Sequence, residues 1–215
     1  MTDVTRGRFI TFEGGEGVGK STQVRQLADR LTGNGEIVLT REPGGSAGAE
    51  SIRDLLVNGP VERWSPISET LLMYAARRDH IERVIVPALE RGAWVVCDRF
   101  YDSSRAYQGA AGGAPQSLLR ALEADVVGPV TPDLTLILDL PAGAGLARAA
   151  DRGEGEGRFE AKGHEFHERL RAAFLEIAKA EPQRCVVIAA VGEVEAVSER
   201  VWAAVESRLG ARAHG

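Results

Sequence analysis

One stretch near the start of this 215-residue chain determines its architecture and reads Phe9-Ile10-Thr11-Phe12-Glu13-Gly14-Gly15-Glu16-Gly17-Val18-Gly19-Lys20-Ser21. An apolar run leads directly into the pattern GxxxxGK[ST], which is typical of a phosphate-binding loop between a strand and a helix. Its glycines turn backbone N–H groups toward a polyphosphate, Lys20 reaches the β and γ oxygens, and Ser21 offers a hydroxyl to Mg²⁺.

A glycine-rich turn that happens to hold a lysine is the alternative interpretation of this loop. The helical pattern over residues 22–31 and the preceding apolar run favour a nucleoside triphosphate site instead. The residues predicted to bind the triphosphate are Gly14, Gly15, Glu16, Gly17, Val18, Gly19, Lys20, Ser21 and Thr22.

Composition narrows the class of protein. A chain of 215 residues with 44% hydrophobic content predicts one compact domain over residues 1–215. The net charge of −5 argues against nucleic acid or an anionic membrane as a partner. Cys97 and Cys185 lie in apolar runs without metal-ligand spacing, which predicts buried thiols. The chain has no stretch long enough to span a membrane and no signal pattern at Met1-Thr2-Asp3, so we expect a cytoplasmic protein.

Short apolar runs alternate with helical patterns along the chain. The runs predict strands over residues 9–13, 37–40, 94–98, 134–140 and 185–189. Runs that are apolar on both faces favour an α/β fold with a five-stranded parallel sheet covered by helices on both sides. The charged, glycine-rich residues 151–158 predict a mobile loop within a lid over residues 148–160.

The pair Asp98-Arg99 ends the third predicted strand. Asp98 can face a metal ion bound to Ser21, whereas Arg99 suits a second anion, which favours transfer to a bound phosphate over hydrolysis. The alternative for Arg99 is a surface residue after a strand. The guanine-selecting pattern NKxD is absent, which argues against a switch GTPase. A partner-stimulated ATPase and a kinase for another nucleoside monophosphate stay open.

Several further segments carry a resemblance to a known family. They are Thr40-Arg41-Glu42-Pro43-Gly44-Gly45, Tyr74-Ala75-Ala76-Arg77-Arg78, Ser103-Ser104-Arg105-Ala106-Tyr107-Gln108-Gly109, Pro132-Asp133-Leu134-Thr135 and Arg158-Phe159-Glu160. Together with the loop and Asp98-Arg99, they resemble the thymidylate kinases from about residue 8 to about residue 209. The resemblance implies a P-loop kinase fold, a homodimer, and transfer of the γ-phosphoryl group of ATP to dTMP with Mg²⁺.

The resemblance also implies an acceptor site. It places Glu13, Glu42 and Pro43 near the sugar and acceptor phosphate, Arg53 and Arg99 on that phosphate, Arg77 on a base carbonyl, Ser104 and Gln108 on the thymine edge, and Tyr107 against the deoxyribose. For Arg53 and Arg77, which lie in predicted helices, an exposed arginine is the alternative.

Two positions depart from the family pattern. Met73 stands where a phenylalanine often stacks on thymine, so the thioether would lie against the base or simply fill the core. Glu16 stands where some members carry a P-loop arginine, so the positive charge must come from the lid. Arg148 and Arg152 share one helix face, on which a solvated basic surface is the alternative. We predict Lys20, Arg99, Arg152 and Arg158 as catalytic residues and Arg148 as an ATP contact. The preference for ATP over GTP is implied by the resemblance alone.

Overall fold

The computed structural model describes residues 6–152 and 157–212. Its sheet contains β1 (Phe9–Glu13), β2 (Ile37–Arg41), β3 (Trp94–Asp98), β4 (Leu134–Asp139) and β5 (Cys185–Ala189). The strands pair in parallel in the order β2-β3-β1-β4-β5. The predicted α/β class and the five strands are confirmed; β2 is one residue longer and β4 one residue shorter than predicted.

Helices connect the strands and cover the sheet. They are α1 (Lys20–Leu31), α2 (Ala47–Val57), α3 (Pro66–His80), α4 (Val86–Glu90), α5 (Tyr101–Ser104), α6 (Gln116–Leu122), α7 (Ala142–Arg152), α8 (Gly157–Glu160), α9 (His164–Ala180) and α10 (Val194–Leu209). π-helical turns at Ile81–Ile85, Arg105–Ala111 and Glu123–Val127 continue α3, α5 and α6, and short 3₁₀ turns lie at Thr32–Asn34 and Val61–Arg63.

The prediction of a loop over the whole of residues 151–158 is wrong at both of its ends. Helix α7 continues to Arg152 and α8 begins at Gly157, while residues 153–156 lie outside the described residues. The alanine-rich segment before Arg152 explains the first difference, because alanine has the highest helix propensity. The described part of the predicted lid is therefore helical.

The central strands are buried on both faces, as a covered parallel sheet requires. All five residues of β1 are buried. Phe12 faces the layer formed by α1 and α10, and Phe9 faces the layer that contains α3 and α4. Phe9 also packs edge-on against Phe100, with 5.0 Å between the ring centroids. This packing holds the start of β1 against the chain that follows β3.

The carboxyl end of β1 lies at the topological switch point of the sheet. Strand β1 pairs with β3 on one side and with β4 on the other, although β2 comes next in the chain. Parallel sheets bind ligands in the crevice above such a point. The loop after β1 and the pair Asp98-Arg99 at the end of β3 meet there, since Arg99 N donates to Phe12 O at 2.9 Å.

Candidate active site

The loop between β1 and α1 has a backbone that only glycine accommodates at two points. Gly14 has φ of 131°, and a Cβ there would lie 2.4 Å from Leu138 O. Gly17 has φ of 68°, and its Cβ would lie 1.8 Å from Gly145 O. Side chains are excluded at both positions by strain and by contact. The close backbone packing of this loop therefore depends on glycine at both positions.

Helix α1 presents its N-terminus at the end of this loop. Gly19 precedes it and has no side chain that could cap the first N–H groups, which makes the terminus suited to an anion. Lys20 is buried beside it and donates from Nζ to Gly15 O at 2.7 Å and to Gly14 O at 3.2 Å. Burial, together with the Arg99 charge, lowers the pKa of Lys20 to about 8. A polyphosphate would reverse this shift by supplying negative charge.

A pocket of about 340 Å³ opens over this N-terminus. Its wall combines loop residues with cations and acids from other elements: Glu16, Gly17, Gly19, Lys20, Ser21, Thr22, Arg25, Arg41, Glu42, Arg53, Asp98, Arg99 and Ala149. We call it the phosphate pocket. Within it, Ser21 Oγ donates to Asp98 Oδ2 at 2.8 Å, so the two predicted metal-binding groups lie together.

These two oxygen donors suit Mg²⁺, which typically uses one or two protein oxygens and completes its shell with water and phosphate. In the described parts of the chain, no group of three or more His, Cys, Asp or Glu residues could hold a metal ion without such help. The donor set therefore fits a metal ion that arrives with a nucleotide.

Arg99 has an unusual backbone and a central position. It is the one residue other than glycine with positive φ in the described chain, at 70°. Such conformations cost free energy and persist only where the surrounding structure holds them, and they are enriched at functional sites. Its guanidinium donates to Gly14 O at 2.9 Å, to Ser103 Oγ at 3.2 Å and to Glu16 Oε1 at 3.0 Å.

Glu16 is the acidic counterpart of Arg99 inside the loop. Its Oε1 accepts hydrogen bonds from Arg99 and, at 2.5 Å, from the hydroxyl of Tyr107. Burial alone would raise the pKa of Glu16, but Arg99 and Lys20 outweigh it and lower the pKa to about 2. The ionised carboxylate thus lies between the loop and the residues predicted for the acceptor.

A second pocket adjoins the phosphate pocket. It is lined by Glu16, Glu42, Pro43, Met73, Arg77, Arg99, Phe100, Ser103, Ser104, Tyr107, Gln108 and Phe159. Eight of the ten residues predicted for the acceptor lie here: Glu42, Pro43, Met73, Arg77, Arg99, Ser104, Tyr107 and Gln108. We call it the acceptor pocket. Arg53, the ninth, lines the phosphate pocket and donates to Pro43 O at 2.6 Å.

Glu42 and Arg77 connect the wall of this pocket. Arg77 is buried and donates from Nε to Glu42 Oε2 at 2.7 Å and from Nη1 to Ser104 Oγ at 3.1 Å. His80 Nδ1 lies 2.9 Å from the other oxygen of Glu42. The alternative of an exposed Arg77 is therefore excluded. Glu42 also lines the phosphate pocket, as does Arg99, so both residues border both pockets.

Glu13, the tenth predicted acceptor residue, lies beneath the pockets and lines neither. Its Oε1 accepts from the N–H groups of Phe100 and Ser103 at 2.8 and 3.2 Å, and its Oε2 accepts from Ser103 Oγ at 2.6 Å. Burial, followed by the Asp102 charge, raises the pKa of Glu13 to about 7. The prediction that Glu13 contacts the sugar or phosphate does not match this position, because strand β1 turns its side chain into the core.

A third pocket, on the α10 side of the loop, contains Arg148. It has a volume of about 400 Å³ and is lined by Gly17, Val18, Gly19, Thr22, Gln23, Arg148, Ala190, Gly192, Glu193, Val194 and Val197. Arg148 Nη1 donates to Ala190 O at 3.3 Å. Its position beside the loop suits the base of a nucleotide whose phosphates occupy the phosphate pocket.

Arg158 does not lie at the phosphate pocket, contrary to the prediction of a catalytic lid arginine. It is buried, and its guanidinium contacts Leu56 O, Pro60 O, Val61 O and the carboxylate of Glu69. The sequence did not indicate this position, because the carbonyl oxygens that Arg158 binds belong to residues about 100 positions earlier in the chain. The side chain of Arg152 lies outside the described residues.

Sequence reasoning missed several residues that shape the site. Ser103 bonds both Glu13 and Arg99, His80 holds Glu42, and Glu69 contacts Gln108 beside the acceptor pocket. A signal for Glu69 was present, because residues 69, 73 and 77 share one helix face at intervals of four. For Ser103 and His80, the partners become apparent only in the folded chain.

The fold and the loop define the class. A parallel sheet with a GxxxxGK[ST] loop at its switch point is a P-loop NTPase, and a second pocket beside the loop is the arrangement of a phosphotransferase with a separate acceptor. Comparison with known proteins identifies the family: residues 12–201 match the thymidylate kinase family, to which this chain belongs.

Individual relatives agree with this assignment. A thymidylate kinase from Caulobacter vibrioides is 65% identical over 208 residues, which cover 96% of this chain and all of that protein. One from Rhodopseudomonas palustris is 54% identical, with 95% of this chain and 91% of that protein covered. The crystal structure of thymidylate kinase from Ehrlichia chaffeensis has a TM-score of 0.75 at 36% identity and covers 93% of this chain and 99% of that one.

Within residues 6–152 and 157–212, no helix has the length and apolar character needed to cross a bilayer.

Proposed function

We propose that this protein transfers the γ-phosphoryl group of ATP to dTMP and forms dTDP. One observation carries the proposal: Glu16, Glu42 and Arg99 line both the phosphate pocket and the acceptor pocket. The two pockets therefore share a wall, and ligands bound in them would lie side by side. Family membership supplies the identity of the two nucleotides.

Positive groups on the loop side neutralise the transferring group. The N–H groups of the loop, the N-terminus of α1 and Lys20 converge on the phosphate pocket. Phosphoryl transfer depends mainly on alignment and charge stabilisation, and little covalent chemistry is required of side chains. Lys20 is therefore the catalytic cation on this side.

On the acceptor side, the phosphate of dTMP is itself the nucleophile and needs no general base. Arg99 and Arg53 both line the phosphate pocket, which supports them as the proposed contacts of that phosphate. Arg77 and Ser104 offer donors to a base carbonyl, and Met73 and Tyr107 form apolar walls for the thymine and the deoxyribose. Glu16 lines the acceptor pocket and Glu13 does not, so Glu16 is the acid proposed to lie near the sugar.

Ser21 and Asp98 would hold Mg²⁺, which when bound supplies charge neutralisation for the β and γ phosphates. Arg148 would contact the donor base, and Arg152 is proposed as the cation on the outer face of the transferring group. Arg158 is not part of this proposal, since its guanidinium is bound between α2 and α3.

We further propose a homodimer in the cytoplasm. Leu55 on α2 and Ile67 and Leu71 on α3 are large apolar side chains left 39%, 48% and 48% exposed, and they offer a surface for a second copy. The free, buried thiols of Cys97 and Cys185 suit a reducing compartment. Light scattering at several protein concentrations would test the dimer.

One assay tests the proposed reaction against its alternatives. Release of ADP from ATP is measured with dTMP, dUMP, CMP, GMP, AMP or no acceptor. The proposal expects dTMP to be preferred and little turnover without an acceptor. Turnover that is independent of the acceptor would indicate an ATPase, and preference for a purine or cytidine nucleotide would indicate a different monophosphate kinase.

A further inference from the structure

Arg158 anchors α8 to the corner between α2 and α3. Its Nε donates to Pro60 O at 3.1 Å, its Nη2 to Val61 O at 3.0 Å and its Nη1 to Leu56 O at 3.1 Å. Nη1 also lies 2.6 Å from Glu69 Oε2, and this ion pair is almost entirely buried, with both side chains 6% exposed or less. A guanidinium with this set of partners cannot leave without exposing uncompensated carbonyl and carboxylate oxygens.

Glu69 divides its two oxygens between Arg158 and Gln108. Oε2 receives the guanidinium, and Oε1 accepts a hydrogen bond from Gln108 Nε2 at 2.9 Å. A carboxylate can only accept, so the amide of Gln108 must turn its NH₂ group toward Glu69. The orientation of that amide is therefore chemically determined rather than arbitrary.

The orientation matters because Gln108 lines the acceptor pocket and Glu69 does not. With one N–H of its amide bonded to Glu69, Gln108 turns its carbonyl oxygen away from Glu69, where it can accept a hydrogen bond from a ligand. Arg77 and Ser104 stand on the same wall and offer donors. The wall thus presents an acceptor beside donors.

This order of groups complements one type of pyrimidine edge. Thymine and uracil carry an N3–H donor next to the O4 acceptor, whereas cytosine carries an N3 acceptor next to an amino donor. We propose that Glu69, held by Arg158, is a positioning residue that determines base selectivity: it fixes the Gln108 amide so that the pocket accepts 4-keto pyrimidine nucleotides and rejects 4-amino ones. The inference rests on the proposed function, and it gives Arg158 a role on the acceptor side.

The decisive variant is Glu69→Gln, which keeps the shape but can also donate a hydrogen bond. The Gln108 amide can then rotate and offer NH₂ to cytosine N3. We expect kcat/KM for dTMP relative to dCMP to fall by about tenfold or more, the scale of a reversed hydrogen bond. The ratio of dTMP to dUMP should stay within about twofold, because both bases present the same edge. Glu82→Gln, an exposed glutamate in the turn after α3, is the matched control and should change neither ratio.

Arg158→Lys is the second variant and keeps the charge while removing the planar set of donors. It should lower the dTMP to dCMP ratio in the same direction and raise KM for dTMP, while kcat stays within about threefold. Unchanged dTMP to dCMP ratios in both folded variants would overturn the inference. An equal loss of dTMP, dUMP and dCMP turnover would leave that ratio unchanged and would make Glu69 a purely structural residue.

Wild-type protein separates this inference from the proposed function. If wild-type protein does not prefer dTMP, the proposed function and the inference both fail. If it prefers dTMP and the ratios do not respond to Glu69→Gln, the inference alone fails.

Discussion

Replacement of Arg99 should weaken the acceptor nucleotide far more than the donor. Its guanidinium is mostly buried, with 13% of the side chain exposed, and it is aimed at the junction of the two pockets by Gly14 O, Ser103 Oγ and Glu16 Oε1. A hydrogen bond to a charged group contributes about 1.5–3 kcal/mol. At about 1.4 kcal/mol per factor of ten, Arg99→Ala should weaken dTMP binding by about 10- to 150-fold.

The backbone of Arg99 supplies a matched second variant. Its φ of 70° lies in the left-handed region, which costs a residue with a Cβ about 1–2 kcal/mol and costs glycine little. Arg99→Gly should therefore be more stable than Arg99→Ala by about 1 kcal/mol and should lose the same affinity for dTMP. The comparison separates backbone strain from the loss of the guanidinium.

Calorimetric titration with dTMP and with a non-hydrolysable ATP analogue measures both affinities. Arg83→Ala, which removes an arginine that is 68% exposed, is the control and should bind both ligands normally. Equal weakening of the ATP analogue and dTMP in the Arg99 variants would show that Arg99 is not an acceptor clamp.

Three further predictions concern other parts of the site. Lys20→Ala should lower kcat by about 10²-fold or more, because one preorganised charge is lost from the transition state, and rapid-quench kinetics would check it; a folded variant within tenfold of wild type would remove Lys20 from the mechanism. Tyr107→Leu should raise kcat/KM for UMP relative to dUMP by about tenfold as room opens beside the sugar, and an unchanged ratio would show that Tyr107 does not exclude the 2′-hydroxyl. Because the pKa of Glu13 rises from 4.5 to about 7 on folding, the native state holds this proton longer and wild-type stability should fall as pH rises between those values. Urea unfolding of Glu13→Gln, which mimics the protonated acid, should lack this fall and gain up to about 3 kcal/mol relative to wild type between pH 5 and pH 8; parallel stability curves would contradict the raised pKa.

The strands could be predicted from sequence because their patterns are local. Buried runs such as that of β3 are apolar on both faces, and the P-loop pattern predicts a phosphate-binding loop and then a helix directly after β1. The boundary of α7 was harder, because the alanine-rich helix continues into residues whose charge and glycine content indicated a loop.

The site residues show the same division. Residues that a motif places at a strand end or on one helix face, such as Lys20, Arg99 and Arg77, lie at the pockets. Glu13 and Arg158 do not, because their positions depend on partners distant in sequence: Ser103 for Glu13 and Glu69 for Arg158. Motif spacing does not specify which way such a side chain turns.

The central claim is that the phosphoryl group moves directly from ATP to dTMP. Protein incubated with dTMP and ATP labelled in the γ position should yield labelled dTDP and one equivalent of ADP, with little labelled inorganic phosphate. Recovery of the label mainly as inorganic phosphate in the presence of dTMP would contradict the claim and show that the phosphate pocket supports hydrolysis.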